Sequence, residues 1–287
     1  MHGNRGHLAL AALLALPASA LPQGADKDLD TPYVPTPEIV VKRMLKLADV
    51  RAGETVIDLG SGDGRLVIAA ALKYGARGFG VDLDPRLVER SNEAARRAGV
   101  ADRVKFLRQD LFQTDFRAAD VLTLYLLPDV NMALRPKILS DLRPGTRVVS
   151  HDFGMQEWRP DAQETVPAPD KTVGFRKESA VYLWVVPARV EGDWSLEIVS
   201  RDRVRTIPLA LRQEFQMVSG SVKVPAKESV PVSDGRLRGD ELRLALPGGV
   251  LGDDPVLLVG RVAGDSLRGS VRRGEREIAT WSARRQP

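Results

Sequence analysis

Cysteine is absent from the 287-residue chain. That excludes disulfide scaffolds, thiolate zinc sites and cysteine nucleophiles at once. Histidine is scarce: there are three, His2 and His7 stand at the very start, and only His151 is left for the rest of the chain. No multi-histidine metal centre can be built from that supply, so no metal is expected. Charge of one sign is not in excess either. The 42 Lys and Arg are nearly balanced by 38 Asp and Glu and are interspersed with them. A nucleic-acid partner would want a clustered basic face, so this distribution argues against one. What the chain does have is 43% hydrophobic residues, enough for real cores, in a length that suits one large domain or two ordinary ones.

Long apolar runs are lacking as well. The one near the start, Leu8 to Leu16, is too short for a comfortable membrane span. It follows Arg5 and leads into Pro17-Ala18-Ser19-Ala20, whose small-x-small ending suits signal peptidase. Residues 1–20 are therefore read as an export signal, which places the protein in the periplasm. The alternative is an inner-membrane anchor facing the cytoplasm. Residues 21–34 are expected to be a linker.

From residue 35 to 187 strand and helix patterns alternate. Strands are expected at Thr55–Leu59, Gly78–Asp82, Val104–Gln109, Val121–Leu126, Arg147–Ser150 and Val181–Val186. Helices are expected at Arg65–Lys73, Pro85–Ala98 and Asn131–Leu142, with Pro85 starting the second and Gly99 ending it. Repeated β-α-β units call for an α/β domain with a mainly parallel sheet and helices on both faces. Residues 188–287 lose helical periodicity and read as a small antiparallel all-β domain, a barrel or a sandwich. Within it, Gly235 to Arg243 returns as Gly260 to Arg268, 25 residues later, and each copy centres a Gly-Asp hairpin tip. The Arg238-Gly239-Asp240 tripeptide is accounted for by that tip.

The chemistry concentrates in Asp58-Leu59-Gly60-Ser61-Gly62-Asp63-Gly64-Arg65. The run follows a strand and opens a helix, which is where a nucleotide-type loop belongs. A dinucleotide loop would need glycine at Arg65, and a phosphate loop would need a following Gly-Lys-Ser/Thr; neither is present. An acid ahead of the first glycine would repel a pyrophosphate but can hold a ligand cation. Asp82 ends the second strand 24 residues on, where an acid can accept both ribose hydroxyls. Asp110 follows the third strand and could accept from an adenine amino group, with Leu111 or Phe112 against the ring. Asp63 reads as a loop acid and Asp84 as a helix cap.

Asp58 to Gly64, with Asp82 and Asp110, resembles the cofactor motifs of class I S-adenosylmethionine-dependent methyltransferases, over roughly residues 35–187. The resemblance implies a Rossmann-like sheet, S-adenosyl-L-methionine as cofactor, and Asp58, Gly60, Ser61, Gly62, Gly64, Asp82, Asp110 and Leu111 as the residues that hold it. A narrower likeness rests on Pro32 to Pro37, Tyr125-Leu126-Leu127-Pro128 and Arg147 to Phe153. These are similar to the lysine methyltransferases related to the enzyme that modifies the ATP synthase c-subunit. That likeness implies N-methylation of a protein lysine, on a substrate that is a candidate for being membrane-embedded, with Tyr33 and Thr36 over the methionine end of the cofactor. A hydrophobic staple at the helix start is the other reading of those two. The carboxy-terminal β region and the export-like start depart from the family pattern.

Methyl transfer from a sulfonium is an in-line displacement that needs alignment and exclusion of water, not a covalent nucleophile. Tyr125, at the end of the fourth strand, is the candidate catalytic residue on the substrate side, or else an aromatic wall. The Asn/Asp-Pro-Pro-aromatic motif of nucleic-acid amino-methyltransferases does not occur there. His151 is read as a structural histidine in preference to an acid or base. The alternatives to a protein-lysine methyltransferase are an enzyme acting on a small molecule or lipid, and an exported, non-catalytic ligand-binding protein.

Overall fold

The computed structural model describes residues 33–174, 176–200, 203–224 and 229–287. The expected signal or anchor, and all of the expected linker except its last two residues, lie outside the described residues.

The first half of the described chain builds α1 (Glu38–Leu47), β1 (Thr55–Leu59), α2 (Arg65–Tyr74), β2 (Arg77–Asp82), α3 (Pro85–Arg97), β3 (Val104–Arg108), β4 (Val121–Leu124), α4 (Pro128–Asp141), β5 (Arg147–His151), β6 (Ala162–Pro167) and β7 (Glu178–Val185). Their sheet runs β3-β2-β1-β4-β5-β7-β6. The first five strands are parallel; β7 lies antiparallel to β5, and β6 antiparallel to β7. Successive residues of a strand face opposite sides. Accordingly Val56 packs with Val40, Val41, Met44 and Leu45 of α1, while its neighbour Ile57 packs with Leu134 and Ile138 of α4. The order reverses between β1 and β4, so the strand ends beside that point form the crevice where open α/β sheets bind ligands.

Several boundaries differ from the sequence expectation. The fourth strand stops at Leu124, because Pro128 starts α4 three residues earlier than the periodicity suggests and Tyr125 to Leu127 form the turn between them. Strand β6 is an addition to the expected set: Ala-Gln-Glu-Thr-Val-Pro buries only Val166, as an edge strand can.

The remaining strands, β8 (Gly192–Ser200), β9 (Arg203–Glu214), β10 (Met217–Val222), β11 (Val230–Arg238), β12 (Glu241–Leu246), β13 (Val256–Ala263), β14 (Ser266–Arg273) and β15 (Arg276–Arg285), close into an antiparallel barrel. It is a barrel and not a sandwich: β15 pairs with β8, which leaves no edge. Strand β11 is the first arm of the hairpin expected around Gly239-Asp240. The interior is filled by Trp194, Leu196, Leu242, Leu244, Leu258 and Trp281, among others. Both repeat copies end in two-residue hairpins, Arg238 opposite Glu241 and Ala263 opposite Ser266. Only the glycine of each tip takes a left-handed φ, 62° at Gly239 and 58° at Gly264; the aspartate after it does not.

The barrel is seated on the α/β domain. Phe215 stacks on the buried Trp158 at 6.1 Å, Gln216 Nε2 donates to the Arg159 carbonyl at 2.6 Å, and Arg236 pairs with Asp161 at 2.9 Å. The Gly239 tip carbonyl accepts from the Ala188 amide, and a Cβ there would come within 3.0 Å of Gly145. The tripeptide at that tip is thus part of the seam between the two domains.

Candidate active site

The loop after β1 is shaped by Gly60, Gly62 and Gly64, with φ of 74°, 53° and 78°. A side chain at Gly62 would strike the Tyr33 ring, whose Cε2 would lie 2.5 Å from the new Cβ, and one at Gly60 would strike Leu126. The loop is therefore walled on one side by Tyr33, ahead of α1, and on the other by the turn after β4. Ser61 lies beneath it, and its buried Oγ has no hydrogen-bond partner. A concave run of backbone with room only for glycine, and a buried hydroxyl to spare, fits a ligand that presses against the main chain.

Asp58 is buried at the base of this loop, and its Oδ1 accepts from the Thr123 hydroxyl at 2.6 Å. Burial pushes its pKa up to about 8; the hydrogen bond from Thr123 works against that, and the charges of Asp82 and Asp63 add to it. An acid so placed is neutral until a cation arrives beside it. The Asp82 carboxylate is held by two backbone amides: Oδ2 accepts from Gly62 at 2.9 Å, Oδ1 from Asp84 at 3.0 Å. That fixes its direction while leaving lone pairs for a diol. Asp110 Oδ1 accepts from the Phe112 amide, closing a tight turn. Leu111 packs inward against the core, whereas Phe112 is the exposed one of the pair.

The strap from Tyr33 to Pro37 is tied to this loop. Arg65 donates to the Thr36 carbonyl at 2.7 Å and pairs with Asp63 at 2.6 Å. Burial alone would raise the Asp63 pKa, but the Arg65 hydrogen bond and charge hold it below the usual carboxylate range. Burial and the neighbouring Asp63 raise the Tyr33 phenol. Asp84 caps α3 through the Arg86 amide, as expected.

A second cluster stands at the ends of β4 and β5. The Tyr125 ring lies on the His151 ring, centroids 3.9 Å apart, and the Phe153 ring stacks at 6.3 Å on Tyr125. Tyr125 is half-buried, and the Asp152 carboxylate bears on its hydroxyl. Burial, with the charge of Asp152, pushes its pKa up to about 12, so it is a phenol and not a phenolate base. His151 is fully buried: Nδ1 meets the Thr36 hydroxyl at 3.1 Å and Nε2 the Ser179 hydroxyl at 2.8 Å. Burial pushes its pKa down to about 4, and Lys171 pushes the same way against Asp152. It is a neutral, structural histidine. Asp152 has a left-handed φ of 60°, and its Oδ2 lies 2.7 Å from Lys171 Nζ and 3.4 Å from His151 Nε2. In the sequence, Asp152 stands out only as the neighbour of His151. Lys171 and Ser179 do not stand out at all: they lie on and beside the loop between β6 and β7 and carry no motif.

Thus Tyr33, Thr36, Asp58, Gly60, Ser61, Gly62, Gly64 and Asp82 converge on one loop, Tyr125 joins them through its neighbour Leu126 and through His151, which meets Thr36, and Asp110 stands one strand further out. Among the described residues no group of three His, Asp or Glu side chains could hold a metal.

A family model described as the ANTKMT methyltransferase domain matches residues 58–162. A protein-lysine N-methyltransferase of Saccharolobus islandicus (strain REY15A) is 38% identical over 156 residues, which is 54% of this chain and 93% of that protein. A lysine N-methyltransferase of Xenopus laevis, named for the c-subunit of ATP synthase, is 38% identical over 151 residues, 52% of this chain and 66% of that protein. A crystal structure described as an RNA methyltransferase from Salinibacter ruber, bound to S-adenosyl-L-homocysteine, shares 50% of residues over 55% of this chain and 96% of that one, with a TM-score of 0.49. The family model ends before the barrel begins.

Proposed function

Because the chain belongs to the class I S-adenosylmethionine-dependent methyltransferases, in the family of protein-lysine methyltransferases that carry the ANTKMT domain, we propose that it N-methylates a lysine of a protein substrate. The observation that carries this reading is the pairing of the glycine loop with the Tyr125–His151–Asp152 cluster across the turn after β4. One side suits the cofactor; the other offers a carboxylate and aromatic faces, the groups that suit an ammonium.

S-adenosyl-L-methionine supplies an electrophilic methyl group on a sulfonium. Gly60, Gly62 and Gly64 give backbone contact, Asp82 is aimed to accept from the ribose hydroxyls, and Asp58 gains a proton-free form beside the cationic amino-acid end. Phe112, exposed next to Asp110, is the ring available to the adenine. Tyr33 and Thr36 close the strap over the loop. On the acceptor side, the Ala180 amide orients Asp152, and the Tyr125 and Phe153 rings exclude water from the approach to the methyl. The acceptor amine must be neutral to attack, and its proton passes to solvent before transfer. A neutral His151 with both nitrogens engaged takes no part in that proton movement.

We propose that the apolar segment near residues 8–21 keeps the enzyme on the membrane face where the cofactor is made, close to a membrane-protein acceptor. What supports this is the need for cytoplasmic cofactor. Recovery of a mature chain starting at Leu21 from the periplasm overturns it. The function is tested by incubating the full chain with radiolabelled S-adenosylmethionine and host membrane and soluble extracts, then hydrolysing the labelled material. Methyl-lysine is expected. Label only in lipid or small molecules would replace the lysine reading with one of those acceptors.

A further inference from the structure

Lys171 makes a contact that the proposed reaction does not use. It lies in the connection between β6 and β7, outside the sheet framework. Its side chain is only 11% exposed, and its ammonium is held by two acceptors: Asp152 Oδ2 at 2.7 Å and the Glu178 carbonyl at 2.7 Å. Asp152 Oδ2 also lies 3.4 Å from Nε2 of His151, the ring on which Tyr125 rests. A lysine side chain of the protein thus rests on the carboxylate beside the Tyr125–His151 pair.

We propose that Asp152 is the docking group for the acceptor lysine and that Lys171 is its built-in competitor, a stand-in that the incoming ammonium must displace. The proposal rests on the lysine-acceptor reading above. Three observations carry it. The carboxylate is anchored from the sheet side, since Oδ1 accepts from the Ala180 amide at 3.1 Å and the Asp152 amide donates to the Ala180 carbonyl at 2.8 Å. The lysine comes from a connecting loop, whose neighbours Thr172, Val173 and Gly174 are exposed, so it can leave without unpacking the core. The exchange is also charge-neutral: one ammonium replaces another on the same carboxylate, and Asp152 is never left buried and unpaired, which would be costly. A substrate without a positive charge gains nothing from displacing Lys171, so the device selects lysine over neutral nucleophiles.

The test uses the full chain, labelled cofactor and the host extract, with the half-saturating concentration of extract protein as readout. Lys171→Met is expected to lower that concentration roughly five-fold or more, because the incoming ammonium then relieves a buried carboxylate without a lysine partner, worth at least about 1 kcal/mol, with maximal rate and cofactor Kd unchanged. Lys171→Arg keeps the clamp and is expected to restore the wild-type value. Asp152→Asn is expected to raise the half-saturating concentration, and adding Lys171→Met to it to bring no further gain. Unchanged half-saturation in Lys171→Met, or a fall in its maximal rate, overturns the proposal while lysine methylation stands. Cofactor binding with no methyl-lysine in any extract, wild type included, removes the lysine-acceptor reading and this proposal with it.

Discussion

The Gly62 amide donates to the Asp82 carboxylate at 2.9 Å, so the glycine loop after β1 and the acid that ends β2 are one hydrogen-bonded unit. The acid at the second strand therefore has two tasks: it holds the loop in shape and presents its remaining lone pairs to the ribose. Asp82→Ala is expected to lose both. Removing a charged acceptor from backbone amides costs about 1–3 kcal/mol, so cofactor affinity should fall roughly ten- to hundred-fold, with methyl transfer falling in parallel. Calorimetric titration of S-adenosylhomocysteine checks it. Unchanged affinity would remove Asp82 from the binding site.

Gly62 also supports a coupled prediction with Tyr33. Alanine there must hold a left-handed φ and share space with the Tyr33 ring. The first cost is about 1 kcal/mol; the second depends on whether the ring moves. Gly62→Ala should lower thermal stability and cofactor affinity together. In the Gly62→Ala/Tyr33→Ala double variant the clash disappears and the strain remains, so the two effects should be less than additive. A double-mutant cycle by thermal denaturation reads the difference, and strict additivity would mean that the ring does not rest on the loop.

Asp58 predicts a pH effect. Its pKa is about 8 in the folded chain against 3.8 ordinarily. The folded protein therefore holds a proton that the unfolded chain has released, and stability falls as pH rises between about 4 and about 8. A cation bound next to Asp58 reverses the preference, so cofactor binding near neutral pH should release a proton and tighten as pH rises. Titrations in buffers of different ionisation enthalpy measure that release. It should vanish in Asp58→Asn. No proton release in the wild type would place the cofactor's ammonium elsewhere.

Much of this site was legible because it depends on residue types that only one geometry accommodates. A glycine every second position after a buried strand implies left-handed backbone, and acids at three strand ends imply a shared rim. The Gly-Asp hairpins announced themselves for the same reason. What was not legible depends on long-range placement. Strand β6 is an edge that buries only Val166, so its sequence shows no alternation of apolar and polar residues to read. Lys171 reaches Asp152 across a connecting loop, and nothing local distinguishes it from any surface lysine. The acidity of Asp58 and the inertness of His151 both follow from burial, which a sequence does not display residue by residue.

Tyr125 is held as a neutral phenol, and that separates its two candidate roles. With a pKa pushed up to about 12, it cannot ionise in the working range, so the pH–rate profile should show no tyrosine limb below pH about 10. Tyr125→Phe keeps the ring against His151 and Phe153 and loses only the hydroxyl, on which the Asp152 charge bears. Loss of one polar interaction costs about 1 kcal/mol, so maximal rate should fall about five-fold. Tyr125→Ala removes the wall as well and should cost roughly a hundred-fold or more, since misplacing the acceptor is expensive in an alignment-driven reaction. If the phenylalanine variant is as impaired as the alanine one, the hydroxyl acts on the reacting amine directly and not through Asp152.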